Sequence, residues 1–374
     1  MRVLMLHNRY RFEGGEERAV TDIAALLETR GHSVRVLERT SALTGQLGAA
    51  RALALGGADP GEVTAAVRSF GADIVHAHNV HPLFGWRALA AAQAAGAATV
   101  LHLHNFRLFC AIGVAYRDGA PCFRCRGRDT RPGLRLRCRG SLGEAAAYAL
   151  GLHLQQPGLF EHADRFIAVS EFTAHRLIEL GLPSARTRTL TNFVPATNFA
   201  GTPSAGAGGY ALASGRLVEE KGFDTAITAS RIAGVPLVIA GDGPDAPRLR
   251  KIAAGGEVRF TGRLGQRELA KLRAGASVVL VPSRSDEACP YAVLDALADG
   301  VPVLASDLGG LPEMVGAQAA LPAGEVQRWS EALAELWNDP ASRHARSSIA
   351  LERARARFSE DRYYERLMDI YGEL

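Results

Sequence analysis

The sequence predicts an α/β protein with two domains, each built around a parallel sheet. The chain has 374 residues, which is the size of two ordinary domains that each bury a core. Its composition, 47% hydrophobic and 22% charged, is that of a globular protein. Short apolar runs alternate along the chain with segments of helical periodicity, and this alternation is the pattern of βαβ units.

Bulk properties narrow the class of protein. The net charge of +4 is weak evidence for an acidic partner. No apolar run reaches the length of roughly 18 residues that a membrane-spanning helix needs. The first residues, MRVLMLH, enter a strand pattern and lack the features of a signal peptide. We therefore expect a cytoplasmic protein, with peripheral contact at the inner membrane face left open.

In the first half, residues 1–195, apolar strands and periodic helices alternate. Strands are predicted at 2–6, 34–37, 73–78, 98–104 and 165–170. Helices are predicted after Gly14-Gly15, at 86–95, at 141–162 with an interruption near Pro157, and before Gly181. Residues 40–60 carry no clear pattern.

The second half follows a Gly/Ser/Pro-rich linker at 196–209 and is assigned to residues 210–358. Strands are predicted up to Gly215 and at 236–241, 258–262, 277–281 and 301–306. Helices are predicted at 223–234, 290–299 and 325–338. The tail, 359–374, is predicted as one amphipathic helix with Tyr363, Leu367, Ile370 and Tyr371 on one face.

The stretch from Pro282 to Glu313 carries the clearest chemistry. Its helix should begin at Pro290, which suits the first helical position because it lacks an N–H. We expect this helix start and the following glycine turn to bind phosphate. Tyr291, Ala292 and Val293 should offer free backbone N–H groups at the helix start, and Gly309 and Gly310 should let a ligand approach the backbone closely.

Charged residues lie in this stretch and in the first loop of the second half. Glu287 and Asp295 are placed to hold sugar hydroxyls on either side of a diphosphate, although a solvated loop glutamate and a surface aspartate are the alternative. Arg216 and Lys221 lie in a strand-to-helix loop where a diphosphate needs neutralising. The turn GDGP, with Gly241 and Gly243, permits a close approach to the backbone.

These motifs together resemble glycosyltransferase family 4. The resemblance rests on the acidic pair Glu287 and Asp295 in an E-x7-E pattern, on a GG-x-PE turn, and on GR-x4-KG from Gly215. It implies the GT-B fold, with two facing Rossmann-like domains and a cleft between them, and sugar transfer with retention. The implied donor is a UDP- or GDP-sugar, with no catalytic metal. In this family the tail helix crosses back to the first domain.

The resemblance also implies roles for individual residues. Arg216 and Lys221 match the family's phosphate-binding cations, and Glu287 matches the carboxylate that holds the donor sugar. Asp295 takes the ribose position, where the family has Glu. The remaining matches are Arg263 for the base, His104 near the donor sugar and leaving phosphate, and Gly14-Gly15 for the loop over the diphosphate.

Histidines cluster at the ends of the third and fourth predicted strands. His76 and His78 share a face of one strand, and His102 and His104 share a face of the next. A metal site and a structural, hydrogen-bonding role are both open for this cluster, and the spacing favours the structural role.

An insertion at 105–140 contains Cys110, Cys122, Cys125 and Cys138 in the spacing C-x11-C-x2-C-x12-C. Four thiolates around a C-x2-C core fit structural zinc, because a reducing compartment disfavours disulfides. A redox-active cluster and unrelated cysteines are the alternatives. The insertion resembles a family 4 subset associated with surface polysaccharides.

The same insertion carries seven arginines, from Arg124 to Arg139. They form a solvated face, or a surface for anionic lipid or a diphosphate-linked acceptor. Two other classes stay open beside the transferase: an epimerase or phosphorylase on the same fold, and a nucleotide- or nucleic-acid-binding protein that uses the basic cysteine-rich loop.

Overall fold

The computed structural model describes residues 1–9, 14–203 and 208–374, so part of the predicted first loop and of the linker lies outside these ranges. The chain divides into two compact units. The first contains Met1–Ala115, Cys122–Thr191 and Tyr363–Leu374, and the second contains Tyr116–Pro121 and Asn192–Arg362. The functional assignment of the predicted domains stays a prediction.

The first unit is built on a parallel sheet. Its strands are β1 (Arg2–Arg9), β2 (Ser33–Thr40), β3 (Ile74–Ala77), β4 (Ala98–Leu103), β7 (Arg165–Ala168) and β8 (Thr187–Thr189). The insertion also forms a short hairpin of β5 (Tyr116–Arg117) and β6 (Ala120–Pro121), whose residues belong to the second unit. The spatial order in the sheet is β2-β1-β3-β4-β7-β8. Strands β1, β3, β4 and β7 are almost wholly buried, as expected for a parallel sheet covered on both faces.

Helices cover this sheet. They are α1 (Gly15–Thr29), α2 (Ser41–Leu55), α3 (Pro60–Phe70), α4 (Gly85–Ala94), α5 (Arg131–Arg135), α6 (Leu142–His162) and α7 (Glu171–Leu180). The region 40–60, which has no clear sequence pattern, thus contains α2. The core beneath the helices is aliphatic and aromatic, with Leu4, Val75, Leu101 and Phe166 fully buried.

The second unit repeats the architecture. Its strands are β9 (Ala211–Ser214), β10 (Leu237–Ala240), β11 (Val258–Gly262), β12 (Val278–Val281), β13 (Val303–Ser306) and β14 (Ala320–Leu321). Its helices are α8 (Phe223–Ala233), α9 (Ala246–Ile252), α10 (Gln266–Ala274), α11 (Tyr291–Ala298), α12 (Leu311–Val315), α13 (Val326–Asn338), α14 (Pro340–Phe358) and the start of α15 (Glu360–Gly372). The strands are parallel in the order β11-β10-β9-β12-β13-β14.

The predicted interruption of α6 near Pro157 is wrong, because the helix continues through this residue. A proline inside a helix leaves the carbonyl four residues earlier without its usual donor. Here that carbonyl belongs to His153, and the Nε of Arg128 donates to it at 3.4 Å. A side chain from the insertion therefore replaces the missing backbone hydrogen bond.

The last twelve residues belong to the first unit. The predicted apolar face of α15 is buried there, at Tyr363, Leu367, Ile370 and Tyr371. The carboxylate of Glu373 lies 3.1 Å from Arg165 and 2.7 Å from Arg188. None of the helices in the described ranges is both long enough and apolar enough to cross a membrane.

Candidate functional site

The second sheet changes its direction of winding between β9 and β12. The chain first adds β10 and β11 on one side of β9, then returns to place β12 on the other side. In open parallel sheets, ligands bind at the carboxyl ends of the strands beside such a reversal. The two loops at this point are residues 215–222 and 282–290, which contain the predicted cations and Glu287.

An ion pair joins these two loops. The Nζ of Lys221 lies 2.5 Å from the Oε1 of Glu287, and the hydroxyl of Ser283 donates to the same oxygen at 2.6 Å. Burial by itself raises the pKa of Glu287, but the charge and hydrogen bond of Lys221, the hydrogen bond from Ser283 and the charge of Arg216 outweigh this effect. The pKa of Glu287 is therefore lowered from its ordinary value, and the carboxylate is charged at neutral pH.

Arg216 lies on the same loop as Lys221 but is more accessible. Its side chain is 64% exposed and contacts the carboxylate of Glu220 at 3.2 Å, one helical turn away in sequence. Exposed ion pairs of this kind contribute little to stability, at most about 1 kcal/mol. The guanidinium can therefore exchange Glu220 for an anionic ligand without a large loss of folding free energy.

The glycine turn after β13 holds the backbone of Glu287. Gly310 N–H donates to the carbonyl of Glu287 at 2.7 Å. Gly309 has a φ of +64°, and a Cβ there would lie 2.4 Å from the same carbonyl oxygen. Gly309 is thus required for packing between two loops of the protein, while the closeness of a ligand to this turn stays a prediction.

Gly241 and Gly243 have a similar reason to be glycine. A Cβ on Gly241 would lie 1.8 Å from the carbonyl oxygen of Gly215, and one on Gly243 would lie 2.3 Å from that of Leu217. The loop after β10 therefore rests directly on the loop that carries Arg216. A side chain at either glycine would displace the loop that carries this cation.

The start of α11 differs in part from the expectation. Pro290 precedes the first helical residue, Tyr291, so the helix begins one position later than predicted. The N–H of Val293, however, donates to the Pro290 carbonyl at 3.1 Å, so the expectation that it offers an unused donor is wrong. Such a tightened first turn uses an amide that a regular helix leaves without an intrahelical acceptor. Ala292 holds the second helical position, whose amide points out of the helix end.

Asp295 is buried rather than a solvated surface residue. It is 7% exposed, and its carboxylate lies 3.5 Å from Arg273 of α10. The Nε of Arg273 also contacts Asp299 at 2.5 Å. If Asp295 binds the ribose, it does so while it is paired with Arg273, which links α10 to α11. Arg263, predicted to contact the base, is exposed directly after the edge strand β11.

The first sheet reverses between β1 and β3. Their ends are joined where Asn8 N–H donates to the Asn79 carbonyl at 2.8 Å, and the Asn79 side chain donates back to Asn8 at 2.8 Å. Gly14 precedes α1 and donates its N–H to Glu17 at 2.8 Å, while Gly15 begins the helix. Gly14 and Gly15 thus start the helix that follows β1.

The histidines of β3 and β4 form hydrogen-bonded pairs across the two strands. His76 Nε2 lies 3.2 Å from His102 Nδ1, and His78 Nδ1 lies 2.9 Å from His104 Nε2. The hydroxyl of Tyr371 reaches His76 Nδ1 at 2.7 Å. Burial lowers the pKa of His76 and of His104 to about 3. His104 is therefore a neutral imidazole, able to act on a ligand through hydrogen bonds.

Three of these histidines, His76, His78 and His102, also have nitrogen atoms within 4.8 Å of one another, the kind of spacing that can hold a metal. The rings of His76 and His102 are nearly parallel, with 9° between their planes. Because their facing nitrogens are used in a hydrogen bond, the geometry favours the hydrogen-bonding role.

The four cysteines of the insertion are partly buried, and none is in a disulfide. Burial, together with the nearby thiols of Cys110, Cys138 and Cys122, raises the pKa of the Cys125 thiol to about 11, against the opposite effect of a backbone hydrogen bond at Gly133. The four sulfurs therefore form one group. In the described ranges, the histidines are the set whose ligand atoms meet the 4.8 Å spacing, so the sulfurs are more widely spaced than in a closed metal site.

Some residues of the site escape sequence reasoning. The hydrogen bond from Ser283 to Glu287 is suggested in the sequence only by the spacing of four residues between them. Asn192, next to the expected domain boundary, donates its side-chain amide to the carbonyl of Cys289 at 3.2 Å. Tyr371 was expected only to be buried, yet its hydroxyl reaches His76. These contacts join residues 97 and 295 positions apart, and local sequence patterns do not encode them.

Comparisons with known proteins agree with this architecture. Residues 13–198 match the family model described as Glycosyltransferase Family 4, and residues 197–353 match Glycosyl transferases group 1. Among solved structures, the Anabaena protein HepE in complex with UDP gives a TM-score of 0.69 at 19% identity over 100% of both chains. Sucrose-phosphate synthase from Thermosynechococcus elongatus gives a TM-score of 0.73 at 17% identity, covering 100% of this chain and 98% of the other.

Two mannosyltransferases are similar in sequence. A GDP-mannose-dependent monoacylated alpha-(1-6)-phosphatidylinositol monomannoside mannosyltransferase of Corynebacterium glutamicum is 34% identical over 41% of this chain and 45% of its own. A GDP-mannose-dependent alpha-mannosyltransferase of Mycobacterium tuberculosis is 30% identical over 72% of this chain and 66% of its own. The chain thus matches less than two thirds of the length of either relative. With its two family models and its two six-stranded parallel sheets, the chain belongs to glycosyltransferase family 4 and has the GT-B fold.

Proposed function

We propose that the protein transfers a sugar from a nucleoside diphosphate sugar to an acceptor hydroxyl, with retention of configuration at the anomeric carbon. The observation that carries this proposal is the Lys221–Glu287 ion pair, which joins the loops on either side of the reversal in the second sheet. A cation for phosphate and a carboxylate for sugar hydroxyls lie side by side there, as a diphosphate sugar requires.

The chemistry follows from these groups. An ammonium group has three donors, so Lys221 can keep Glu287 and still donate to phosphate oxygens. Arg216 adds a second cation. Together they stabilise the negative charge that develops when the bond between the anomeric carbon and the diphosphate breaks. The new bond forms to the acceptor oxygen, and the acceptor proton passes to the departing diphosphate. We assign no side-chain nucleophile.

The donor and acceptor are narrowed by the sequence relatives. Both mannosyltransferases are named as GDP-mannose-dependent, and one is named for a phosphatidylinositol acceptor. The structures with UDP are below 25% identity and support the fold alone. We therefore place GDP-mannose first among candidate donors, UDP-sugars second, and a lipid-linked acceptor at the membrane surface first among acceptors.

The experiment that tests the function is a donor screen followed by product analysis. Thermal unfolding is measured with a panel of nucleoside diphosphates and their sugars. A ligand at 100 times its Kd should stabilise the protein by about 2.7 kcal/mol. The stabilising donor is then incubated with and without acceptor. Product that appears only with acceptor supports transfer, whereas sugar conversion without acceptor favours an epimerase. Phosphorolysis by inorganic phosphate favours a phosphorylase, and stabilisation by nucleic acid alone contradicts all three activities.

A prediction concerns the carboxylate of Asp295. Asp295→Ala should weaken nucleotide binding if this group holds the ribose, and Asp295→Glu should keep or tighten it. The alanine variant also removes one of the two carboxylates that pair with Arg273 in the described part of the chain, so its unfolding temperature should fall. Asp299→Ala is the matched control, because it disturbs the same arginine from outside the predicted ribose position. Nucleotide affinity that is unchanged in Asp295→Ala, or equally reduced in Asp299→Ala, contradicts the ribose role.

We further propose that the four cysteines of the insertion bind structural zinc. Four sulfur donors, grouped and partly buried in a segment with little apolar core of its own, fit a closed tetrahedral site. Binding would draw the sulfurs together and lower the pKa of Cys125, since a coordinated thiol is deprotonated. With four protein ligands and no open position, the metal would fold the insertion and would not activate a substrate.

The zinc proposal predicts one equivalent of metal per chain, with sulfur about 2.3 Å from the ion. Cys122→Ser should lower the metal content and increase hydrogen exchange across residues 105–140, while the second unit keeps its protection. It should impair acceptor use more than nucleotide binding. Cys289→Ser is the control, because its thiol lies outside the group. Metal-free protein from zinc-supplemented medium, or unchanged exchange in Cys122→Ser, contradicts the proposal.

A further inference from the structure

The accessible side of helix α6 is apolar, while some polar residues of the same helix are buried. From Leu142 to Pro157, the exposed positions are Leu142, Gly143, Ala146, Leu150, Leu154 and Pro157, all of them apolar. The polar residues Gln155 and Gln156 are instead buried, at 0% and 4% exposure. A helix that faces water normally shows the opposite arrangement. The three leucines are 57%, 54% and 44% exposed, so this stripe is a substantial apolar surface.

Helix α2, the neighbour of α6, exposes further leucines. It runs beside α6: the side chain of Gln46 donates to Glu144 at 3.3 Å, and that of Gln155 donates to the carbonyl of Leu53 at 2.7 Å. Leu47 and Leu55 of α2 are 88% and 53% exposed. Two adjacent helices of the first unit therefore expose five leucines, which we call the α2–α6 face: Leu47, Leu55, Leu142, Leu150 and Leu154.

A strongly basic segment borders this face. Thr130 donates its hydroxyl to the carbonyl of Ala149 at 2.6 Å, and the carbonyl of Arg128 lies 2.8 Å from His153 Nδ1, so residues 128–130 lie along α6. The segment from 122 to 140 contains seven arginines against one aspartate, an excess of six positive charges. The exposed ones are Arg124, Arg126, Arg128, Arg131, Arg135 and Arg137. Arg51 of α2 is also exposed.

We infer that the α2–α6 face and its arginines dock on the surface of an anionic lipid bilayer. Leucines beside a dense group of arginines match the two layers of such a surface, because acyl chains accept the apolar groups and phosphate head groups attract the cations. The charge complementarity selects lipid over a second copy of this chain, since two copies would bring the same arginine-rich segments together. The inference rests on the proposed function only in that a lipid-linked acceptor lies at such a surface.

The test is a vesicle flotation assay on the full chain. One set of vesicles contains phosphatidylcholine alone, and the other contains phosphatidylcholine with phosphatidylglycerol. We expect binding to the anionic vesicles, weakened by added salt because the charges are screened. Leu142→Ser, Leu150→Ser and Leu154→Ser combined should reduce the binding constant about tenfold or more. Arg51→Gln, Arg131→Gln and Arg135→Gln combined should reduce it about 100-fold, near fivefold for each charge.

Matched controls come from the second unit. Ile232→Ser with Ile349→Ser removes two isoleucines that are each 56% exposed, and Arg267→Gln, Arg328→Gln and Arg362→Gln remove three exposed arginines. Both sets should leave vesicle binding unchanged. Thermal unfolding shows that every variant is folded, and nucleotide binding by the leucine variant should equal that of the wild type.

Three outcomes overturn the inference. The first is no flotation of the wild type with anionic vesicles, and the second is an equal loss in the control variants. The third is a dimer in sedimentation that the leucine variant converts to a monomer, which assigns the face to a second copy. Sugar transfer to a water-soluble acceptor distinguishes this inference from the proposed function. Vesicle binding without transfer contradicts only the proposed function. Transfer without vesicle binding contradicts only the docking surface.

Discussion

Lys221→Ala should lower the rate of sugar transfer by about 100-fold or more, the scale for the loss of one preorganised group that stabilises developing charge. The lysine is held by Glu287 at 2.5 Å, so its ammonium is fixed before a ligand arrives. Arg216→Ala should produce a loss of the same scale, because the second cation stabilises the same charge. Both effects should appear mainly in kcat, since the charge on the diphosphate grows in the transition state.

The two variants should differ in a second measurement. Without Lys221, burial becomes the dominant influence on Glu287, and its pKa should rise. Lys221→Ala should therefore show a stronger pH dependence of nucleotide-sugar binding on the acid side than Arg216→Ala, because Lys221 lowers the pKa of Glu287 by its charge and by a hydrogen bond, whereas Arg216 lowers it only by a smaller charge effect. Arg248→Ala is a suitable control, because this arginine pairs with Asp245 and Asp224 in the same unit. If either folded test variant turns over at nearly the rate of the wild type, the substituted residue is not part of the donor site.

The sequence could predict the second unit well because its signals are local. Most of its strands are short apolar runs, and the chemistry-bearing residues lie in the loops that follow strand ends, as Arg216 does after β9 and Glu287 after β12. In a parallel sheet the carboxyl ends of strands share an edge. Lys221 and Glu287, which are 66 positions apart, can therefore be assigned to one site from the strand pattern alone.

Other features depend on contacts between distant segments. The continuation of α6 through Pro157 depends on Arg128, which lies in the insertion. The burial of Asp295 depends on Arg273 from the preceding helix, and no periodicity in α11 reveals that partner. Helix α2 has many small residues and a non-helical Gly45, so its sequence carries little amphipathic signal. The helix packs against α6, and this contact cannot be read from the sequence of α2 alone.

The second large effect is expected at Glu287. Glu287→Gln should lower turnover by about 10- to 100-fold, because a neutral amide accepts hydrogen bonds from sugar hydroxyls less strongly than a carboxylate does. A hydrogen bond to a charged group contributes about 1.5–3 kcal/mol, and one between neutral groups contributes about 0.5–1.5 kcal/mol. The substitution keeps the size of the side chain but removes the counter-charge of Lys221. Ser283→Ala is the matched control, because it removes a hydrogen bond to the same oxygen while the charge remains.

The stability of Glu287→Gln should depend on pH in a defined direction. The pKa of Glu287 in the folded protein is lowered from its ordinary value of 4.5, so the unfolded chain takes up a proton first as the pH falls. The ion pair therefore stabilises the folded state fully above that ordinary value, and its contribution is lost as the pH falls through the lower, folded pKa. The difference in unfolding free energy between wild type and Glu287→Gln, measured by urea denaturation, should be constant from pH 8 to about 5.5 and should shrink in more acid solution. A difference that grows toward acid pH, or turnover that equals the wild type, would show that this carboxylate is neither a charged partner of Lys221 nor a ligand for the donor sugar.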